Sequence, residues 1–310
     1  MKYSAKALAL TGGGTRGLYS STVIAELEKA AGRRANEMFD LFAGTSVGGM
    51  IAIGLSLGIS ADEMSQQIIA HAKDIFGYPA ILNPKRLIRP KHDPARLVRA
   101  LEAIISRKNL RLRLSELPVP VILPAVSLTS NEIVYFSGES KIGNRSVINS
   151  TVIDALLSTT AAPTYYPPHV FNGRSYIDGG VAVNSPDVDA LFFCRSTWFL
   201  PLDHIRLLSV GTGYDESKAA KEGAQNFGGL SWLNNHSIIS RMIELQENSA
   251  SALAQDLLSE RYCRVNSGLR ESIDLDEFDR LKLESLAALA SREISRLLIV
   301  QPSPLAQFLN

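Results

Sequence analysis

A serine flanked by glycines, in the sequence Gly44-Thr-Ser-Val-Gly48, carries the strongest chemical signal in this chain. It follows a short apolar segment and precedes an uncharged apolar run, so the pattern predicts a strand, a sharp turn and a helix. The two glycines leave space where side chains would clash in so tight a turn. Ser46 would then lie at the start of the helix, where the helix dipole favours developing negative charge. The arrangement is that of a nucleophilic serine, although Gly-x-Ser-x-Gly alone also occurs in ordinary turns.

A second glycine-rich loop, residues 11 to 17 (Thr-Gly-Gly-Gly-Thr-Arg-Gly), lies between an apolar strand pattern and an apolar helix pattern. Consecutive glycines let backbone N–H groups point at one spot, so Gly12, Gly13 and Gly14 are candidates for an oxyanion hole. The same glycines formally match the dinucleotide-binding fingerprint. That fingerprint requires an acidic residue at the end of the second strand, whereas Asp40 precedes that strand. We therefore expect no nucleotide cofactor at this loop.

An aspartate followed by two glycines, Asp178-Gly-Gly180, ends a third strand pattern that begins at Arg174. An aspartate at the end of a strand can lean over a neighbouring active site and act there as a base. Asp-Gly is also common in hairpin turns, and this motif taken alone favours the turn.

Together the three glycine-centred segments resemble the patatin-like phospholipases, and they occur in the order found in that family. The stretches 161–168 (Ala-Ala-Pro-Thr-Tyr-Tyr-Pro-Pro) and 184–186 (Asn-Ser-Pro) are also similar to the family. The similarity covers about residues 5 to 215. Two residues depart from the usual pattern: Thr11 stands where many members have Asp, and Gly179 where many have Ala.

The resemblance implies a Ser–Asp dyad that hydrolyses lipid esters. Asp178 would take the proton of Ser46 as general base, Ser46 would attack the ester carbonyl, and the N–H groups of Gly12 to Gly14 would stabilise the oxyanion. Arg16 would orient the glycine loop or contact a lipid phosphate, and a structural ion pair explains it equally well. No metal-ligating cluster is visible in the sequence, and we expect neither a metal nor a cofactor.

Three alternatives to the Ser–Asp dyad enzyme stay open. His169 lies nearest the aspartate in sequence, so a triad with a histidine is possible. A true α/β-hydrolase would need its histidine after the acid, which would make His204 or His236 essential. A catalytically silent fold that only binds lipid or a partner is the non-enzymatic alternative, and the intact Ser46 and Asp178 argue against it.

The resemblance also implies a three-layer α/β/α sandwich with a mainly parallel sheet, which agrees with the alternation of strand, loop and helix patterns. We interpret the chain as a single domain, residues 1–310, with a motif-bearing core over about 5–215 and a C-terminal helical part over about 216–310. A continuous helix is expected from Leu55 to Phe76.

Composition limits the partners and the location. The net charge is +1 in 310 residues, so nothing global points to a nucleic acid polymer. Residues 41–59 carry no charge and are long enough for a membrane span, but five glycines and the Ser46 turn favour a buried strand–turn–helix. We expect a cytoplasmic protein that contacts the membrane peripherally when active. The sequence does not indicate an oligomeric state.

The segment 85–113 is strongly basic, with ten Lys or Arg and two acidic residues, a local net charge of +8. Such a segment can be a solvated helix face or can bind an anion, either phospholipid headgroups or an anionic regulator. This segment, the amino-terminal sequence and the compact C-terminal part are similar to the cyclic-nucleotide-activated patatin-like effectors of antiphage defence. That closer resemblance implies a cyclic dinucleotide activator and membrane phospholipid as substrate; an unregulated carboxylesterase or lipase is the alternative.

Overall fold

A mainly parallel β-sheet runs through the protein between two layers of helices. The computed structural model describes residues 3–76, 91–139, 145–215, 238–269 and 271–309. The strands are β1 (Ala5–Leu10), β2 (Leu41–Gly44), β3 (Val121–Ser127), β4 (Glu132–Ser137), β5 (Ser146–Val147), β6 (His169–Phe171), β7 (Arg174–Asp178), β8 (Ile205–Val210), β9 (Tyr214–Asp215), β10 (Tyr262–Val265) and β11 (Gly268–Leu269).

The described residues also form eleven α-helices. They are α1 (Gly17–Ala31), α2 (Ala35–Met38), α3 (Val47–Ser56), α4 (Ala61–Phe76), α5 (Pro94–Ile105), α6 (Arg107–Leu110), α7 (Val152–Thr159), α8 (Asp187–Thr197), α9 (Ile238–Leu258), α10 (Arg280–Ile299) and α11 (Ala306–Leu309).

Within the described residues the main sheet has nine strands, in the order β10-β8-β1-β2-β3-β4-β5, with the hairpin of β6 and β7 attached to β3. The five strands from β10 to β3 are mutually parallel, whereas β4 and β7 run antiparallel to β3. β9 and β11 form a separate parallel pair. Because parallel strands end at the same edge, the loops after β1 and β2 lie side by side.

The two faces of the sheet are buried in two separate cores. Leu8, Leu10 and Phe42 point into one core, which also contains buried residues of α1, α3, α4 and α10. The intervening alanines of β1, together with Leu41, point into the other core with α8 and α9. Alternate side chains of a strand face opposite sides, so a sheet buried on both sides needs apolar residues at every position. The three-layer α/β/α sandwich expected from the sequence is confirmed.

The C-terminal part contributes to both the sheet and the first core. β10 pairs in parallel with β8, and Cys263 lies opposite Leu208. Leu283, Leu286 and Ile294 of α10 are buried in the same core as α1. The organisation as one domain over residues 1–310 stays a prediction.

The helix expected from Leu55 to Phe76 is wrong as a single element, because α3 ends at Ser56 and α4 begins at Ala61. Gly58 between them has φ +82°, a left-handed conformation that ends helices. Ser60 Oγ then accepts a hydrogen bond of 3.1 Å from the Glu63 N–H and caps α4. The Ser-x-x-Glu spacing after a glycine was the signal for this break.

Residues 41–59 form the buried strand, turn and helix that the sequence predicts. No helix in the part of the chain that the structure describes has the length and apolar character needed to cross a membrane.

Candidate active site

Ser46 lies on a strained turn between β2 and α3. Its backbone has φ 55° and ψ −122°, a conformation that non-glycine residues rarely adopt and that needs support from neighbours. The Ser46 N–H donates to Thr159 Oγ1 at 3.1 Å, and Thr45 Oγ1 donates to the Val183 carbonyl oxygen at 2.7 Å. The side chain of Ser46 is partly exposed. The turn therefore presents a hydroxyl at the start of α3, as the sequence predicts.

The two glycines of the turn are required by close backbone contacts. A Cβ at Gly44 would lie 2.3 Å from the Gly48 carbonyl oxygen, and one at Gly48 would lie 2.3 Å from the Leu10 carbonyl oxygen. Both contacts are with backbone and cannot be relieved by moving a side chain. These contacts explain the Gly-x-Ser-x-Gly spacing in this protein.

The way in which three strands pair with β3 brings Asp178 next to Ser46. β4 occupies one edge of β3 over residues 122–127, so β2 and β7 must share the other edge. β2 runs parallel to β3 and β7 runs antiparallel to it, so their carboxyl ends point toward each other. Ser46 follows the end of β2, and Asp178 ends β7 opposite Ala125. The two side chains meet in the gap between the two strands.

The Ser46 hydroxyl donates a hydrogen bond of 2.7 Å to Asp178 Oδ2. The other oxygen, Asp178 Oδ1, accepts a hydrogen bond of 2.7 Å from the Gly180 N–H. Asp178 is 5% exposed. Burial raises the pKa of Asp178 to about 6, against the opposing effect of the two hydrogen bonds. A carboxylate with a pKa near neutrality and within reach of a hydroxyl is suited to act as a general base.

The two candidate histidines that the structure describes, His169 and His204, contact other groups. His169 Nε2 lies 3.3 Å from Asp154 Oδ1. His204 Nδ1 lies 2.6 Å from the Tyr3 carbonyl oxygen, just before the amino end of β8 and thus at the opposite edge of the sheet from Ser46. Neither histidine is brought to Ser46 and Asp178 by these contacts. His236 lies outside the described residues.

The glycine loop after β1 lies beside the Ser46 turn. Leu10 pairs with Gly44, and a Cβ at Gly12 would lie 3.3 Å from the Thr45 carbonyl oxygen. Within the loop Gly14 has φ +58°, and a Cβ there would lie 2.0 Å from the Leu275 carbonyl oxygen. The Gly12 end of the loop therefore lies against the Ser46 turn, and the close contact at Gly14 leaves no room there for a side chain.

The expectation that Gly12 donates to an oxyanion does not fit this structure. The Gly12 N–H already donates to the Asn184 carbonyl oxygen at 3.0 Å. A backbone N–H has one hydrogen to donate, so this group serves to hold the loop. Gly13 and Gly14 are the two glycines of the loop left as candidate donors.

Arg16 ends the short 3-10 helix Gly14–Arg16. Burial raises the pKa of Glu247, and the positive charges of Arg264 and Arg16 lower it. The structural ion pair expected for Arg16 stays a prediction, and so does its contact with a lipid phosphate.

Several residues that support the site were missed by sequence reasoning. Thr159, which holds the Ser46 N–H, lies just before the stretch 161–168 that is similar to the family. Asn184, which holds Gly12, lies in the family-like stretch 184–186, but its role was not predicted from the sequence. Glu247 and Arg264 lie far along the chain in segments with no motif, and nothing in the sequence indicated them. Among the described residues, no group of three or more His, Cys, Asp or Glu could hold a metal ion.

Comparison with known proteins identifies the family. The family model described as patatin-like phospholipase matches residues 8–191, which contain the glycine loop, the Ser46 turn and Asp178. The chain belongs to the patatin-like phospholipase family. As a patatin-like phospholipase it is a lipid acyl hydrolase, a class of carboxylic ester hydrolase.

Relatives of this patatin-like phospholipase come from bacteria and plants. A cGAMP-activated phospholipase from Pseudomonas aeruginosa is 29% identical over 293 residues, covering 92% of this chain and 85% of that protein. A cGAMP-activated phospholipase from Vibrio cholerae is 28% identical over 322 residues, covering 94% of this chain and 90% of that protein. Patatin-17 from Solanum cardiophyllum is 30% identical over 254 residues, covering 70% of this chain and 64% of that protein.

The basic segment of this patatin-like phospholipase is described only in part. Lys85, Arg86 and Arg89 lie outside the described residues. Lys91 is described, and its Nζ lies 3.8 Å from Asp276 Oδ2. The remaining cations are exposed on and around α5 and α6: Arg96, Arg99, Arg107, Lys108, Arg111 and Arg113.

Proposed function

We propose that this enzyme cleaves acyl ester bonds of membrane phospholipids with Ser46 as nucleophile and Asp178 as general base. The observation that carries the proposal is the 2.7 Å hydrogen bond from Ser46 Oγ to a buried carboxylate whose pKa is raised to about 6. A pKa of about 6 still leaves the carboxylate mostly ionised at pH 7, and it makes Asp178 a better proton acceptor than an exposed aspartate. A dyad needs no third residue, because Gly180 already orients the carboxylate through its N–H.

The first half of the reaction forms an acyl-enzyme. Ser46 Oγ attacks the ester carbonyl carbon while its proton passes to Asp178 Oδ2, and the carbonyl oxygen becomes an oxyanion. In this proposal the N–H groups of Gly13 and Gly14 donate to that oxyanion. The intermediate then collapses, the bond to the lysophospholipid oxygen breaks, and that oxygen takes the proton from Asp178.

The second half restores the enzyme. A water molecule loses a proton to Asp178 and attacks the acyl carbon on Ser46. The second tetrahedral intermediate expels Ser46 Oγ, which regains its proton from Asp178. The products are a free fatty acid and a lysophospholipid, and no metal or cofactor enters the steps.

Hydrolysis of a fluorogenic phospholipid in vesicles tests this proposal. Wild type should release fatty acid, and Ser46→Ala should not, whereas Ser130→Ala, which removes an exposed loop hydroxyl, should match wild type. Wild type that binds the vesicles without hydrolysing them under any condition would instead support the catalytically silent lipid-binding fold.

We further propose that a cyclic dinucleotide activates the enzyme. The two bacterial relatives carry cGAMP activation in their names, and each covers more than nine-tenths of this chain. The exposed cations on α5 and α6 offer a surface on which phosphates could bind. Activation would let the cell keep a membrane-degrading enzyme idle until a signal appears.

Activity with cGAMP and with a panel of other cyclic di- and trinucleotides tests the activation. One nucleotide should raise the rate of vesicle hydrolysis and the melting temperature of the protein. Replacing Arg96 and Arg99 with Gln should weaken that response, while Arg280→Gln with Arg292→Gln, an equal change of charge on α10, should not. Full activity without any nucleotide, and no thermal shift, would support an unregulated lipase.

A role in antiphage defence extends the same proposal. Cells that express the wild type together with the nucleotide should lose membrane integrity, and cells with Ser46→Ala should not. Equal survival of both strains would contradict the defence role and leave the hydrolase assignment intact.

A further inference from the structure

We propose that Glu247 and Arg264 are positioning residues for the oxyanion-binding loop, acting through Asn184 and Thr11. Both lie outside residues 8–191, the part of the chain that the family model matches. The inference rests on the proposed function, because it concerns the groups that would stabilise the oxyanion of that reaction.

Asn184 forms two hydrogen bonds with Gly12. Its carbonyl oxygen accepts the Gly12 N–H at 3.0 Å, and its Nδ2 donates to the Gly12 carbonyl oxygen at 3.3 Å. A Cβ at Gly12 would lie 2.4 Å from Asn184 Oδ1, so the two residues are in close contact. The direction in which the following N–H groups point therefore depends on where Asn184 is held.

Helix α9 holds Asn184 in turn. Asn184 Nδ2 donates to Glu247 Oε1, and the Asn184 N–H donates to Gln246 Oε1 at 2.7 Å. The Glu247 side chain is 16% exposed, so its carboxylate has lost most of its water. A carboxylate in such a place needs a positive partner and hydrogen-bond donors.

Arg264 on β10 supplies the charge, since its Nη2 lies 3.5 Å from Glu247 Oε2. The same guanidinium reaches three hydroxyl groups around the base of the loop through Nη1: Thr11 at 3.2 Å, Ser185 at 3.0 Å and Ser209 at 2.6 Å. Thr11 directly precedes the three glycines, so Arg264 holds the start of the loop while Glu247 holds Asn184 against Gly12.

Asp187 places a second negative charge beside the Arg264 guanidinium. It is fully buried, and its Oδ2 lies 3.9 Å from Arg264 Nη1 and accepts a hydrogen bond of 2.7 Å from the Tyr262 hydroxyl. Ser209 Oγ also donates to Asp187 Oδ1 at 2.7 Å. Thr11 is neutral, and the negative charges beside Arg264 come from Asp187 and Glu247.

The arrangement predicts a specific kinetic signature. The N–H donors of the loop interact with the oxyanion, which exists in the transition state and not in the bound substrate. Loosening the loop should therefore lower kcat and leave KM nearly unchanged. A residue that mattered only for folding would lower the melting temperature without such a split.

The test measures kcat and KM for a soluble short-chain ester, under the conditions in which wild type is fastest, with Ser46→Ala as background. Glu247→Ala should lower kcat at least tenfold with KM within twofold of wild type. Glu247→Gln keeps an acceptor for Asn184 Nδ2 and should stay within threefold of wild type. Asp256→Ala, which removes an exposed carboxylate from the same helix, should match wild type.

A double-mutant cycle adds a second test. Asn184→Ala alone should lower kcat at least tenfold, and the double variant with Glu247→Ala should be no slower than Asn184→Ala, because both changes break the same link. If Glu247→Ala does not fold, Asn184→Ala decides the matter, with an unchanged kcat overturning the proposal.

Three results would overturn the inference while the proposed function stands: an active Glu247→Ala with unchanged kcat, a Glu247→Gln as slow as Glu247→Ala, or losses that add in the double variant. Wild type no faster than Ser46→Ala would overturn the proposed function and this inference with it.

Discussion

The Ser46 hydroxyl donates to Asp178 Oδ2 over 2.7 Å, although 132 positions separate the two residues in the chain. The pairing follows from β2 and β7 sharing one edge of β3 with their carboxyl ends facing each other. Strands are rigid elements, so this arrangement holds the two groups more precisely than two loops would.

The activity should depend on the ionisation of Asp178. A general base must be ionised to accept a proton, and burial raises the pKa of Asp178 to about 6. We expect kcat/KM for a soluble ester to be level above pH 7 and to fall about tenfold per pH unit well below pH 6. A profile that is flat from pH 5 to pH 8 would argue against a buried carboxylate base.

The same pKa predicts that Asp178→Asn stabilises the fold above pH 6. The native state holds a proton that the unfolded chain releases between about pH 4 and pH 6, so the free energy of unfolding falls as pH rises through that window. Asparagine carries no such proton, so the variant should be more stable than wild type by up to about 3 kcal/mol at pH 7.5.

Urea unfolding of both proteins across pH 4 to 8 measures this difference. The advantage of Asp178→Asn should shrink toward zero as the pH approaches 4. An advantage that does not change with pH, or a variant less stable than wild type at pH 7.5, would be inconsistent with a destabilising buried charge.

Gly14→Ala should disable the glycine loop. A Cβ at Gly14 would lie 2.0 Å from the Leu275 carbonyl oxygen, and the residue has φ +58°. The loop or the segment at Leu275 must move, and we expect kcat to fall at least tenfold because oxyanion donors are worth two to three orders of magnitude. Kinetics on a soluble ester measure the effect.

Gly173→Ala is the matched control for this change. Gly173 has φ +73° with no atom within 4 Å of an added Cβ, so alanine there brings backbone strain without a clash. It should lower the free energy of unfolding by about 1–2 kcal/mol and leave kcat unchanged. Equal activity of the two variants would show that the loop tolerates displacement.

Thr159→Val should loosen the Ser46 turn. Thr159 Oγ1 accepts the Ser46 N–H and donates to the Pro124 carbonyl oxygen at 2.7 Å, and valine can do neither. Leaving these buried groups unpaired should lower the free energy of unfolding by about 1–3 kcal/mol, with a loss of kcat. Thr160→Val, which removes the hydrogen bond from the Thr160 hydroxyl to the Leu156 carbonyl oxygen of α7, should keep full activity. A similar loss in both variants would mean that the turn does not need Thr159.

The local structure around Ser46 could be predicted because its signal lies in residues that are close together in the chain. A side chain at Gly44 would clash with the Gly48 backbone four residues on, and one at Gly48 would clash with Leu10 on the neighbouring strand β1. The Gly-x-Ser-x-Gly spacing between a strand pattern and a helix pattern was therefore enough to indicate the turn. The alternation of strand and helix patterns likewise indicated the three layers.

What the sequence did not show depends on contacts between distant segments. The sequence named Asp178 as a base, but its approach to Ser46 depends on which edge of β3 is already taken by β4. Gly12 is held by Asn184, which lies 172 residues away in the chain. Asn184 is in turn held by Glu247, which lies on a helix with no sequence motif. Spacing along the chain carries no information about such pairings.

The central claim is that Ser46 and Asp178 act as a dyad without a histidine. Phospholipid hydrolysis by wild type, Ser46→Ala, Asp178→Asn and His169→Gln, measured with the activating nucleotide present, tests it most directly. We expect Ser46→Ala and Asp178→Asn each to lower the rate of hydrolysis by about 10²- to 10⁴-fold. His169→Gln can still bind Asp154, and its rate should stay within twofold of wild type. Substantial activity in Asp178→Asn, or its loss in His169→Gln, would contradict the dyad.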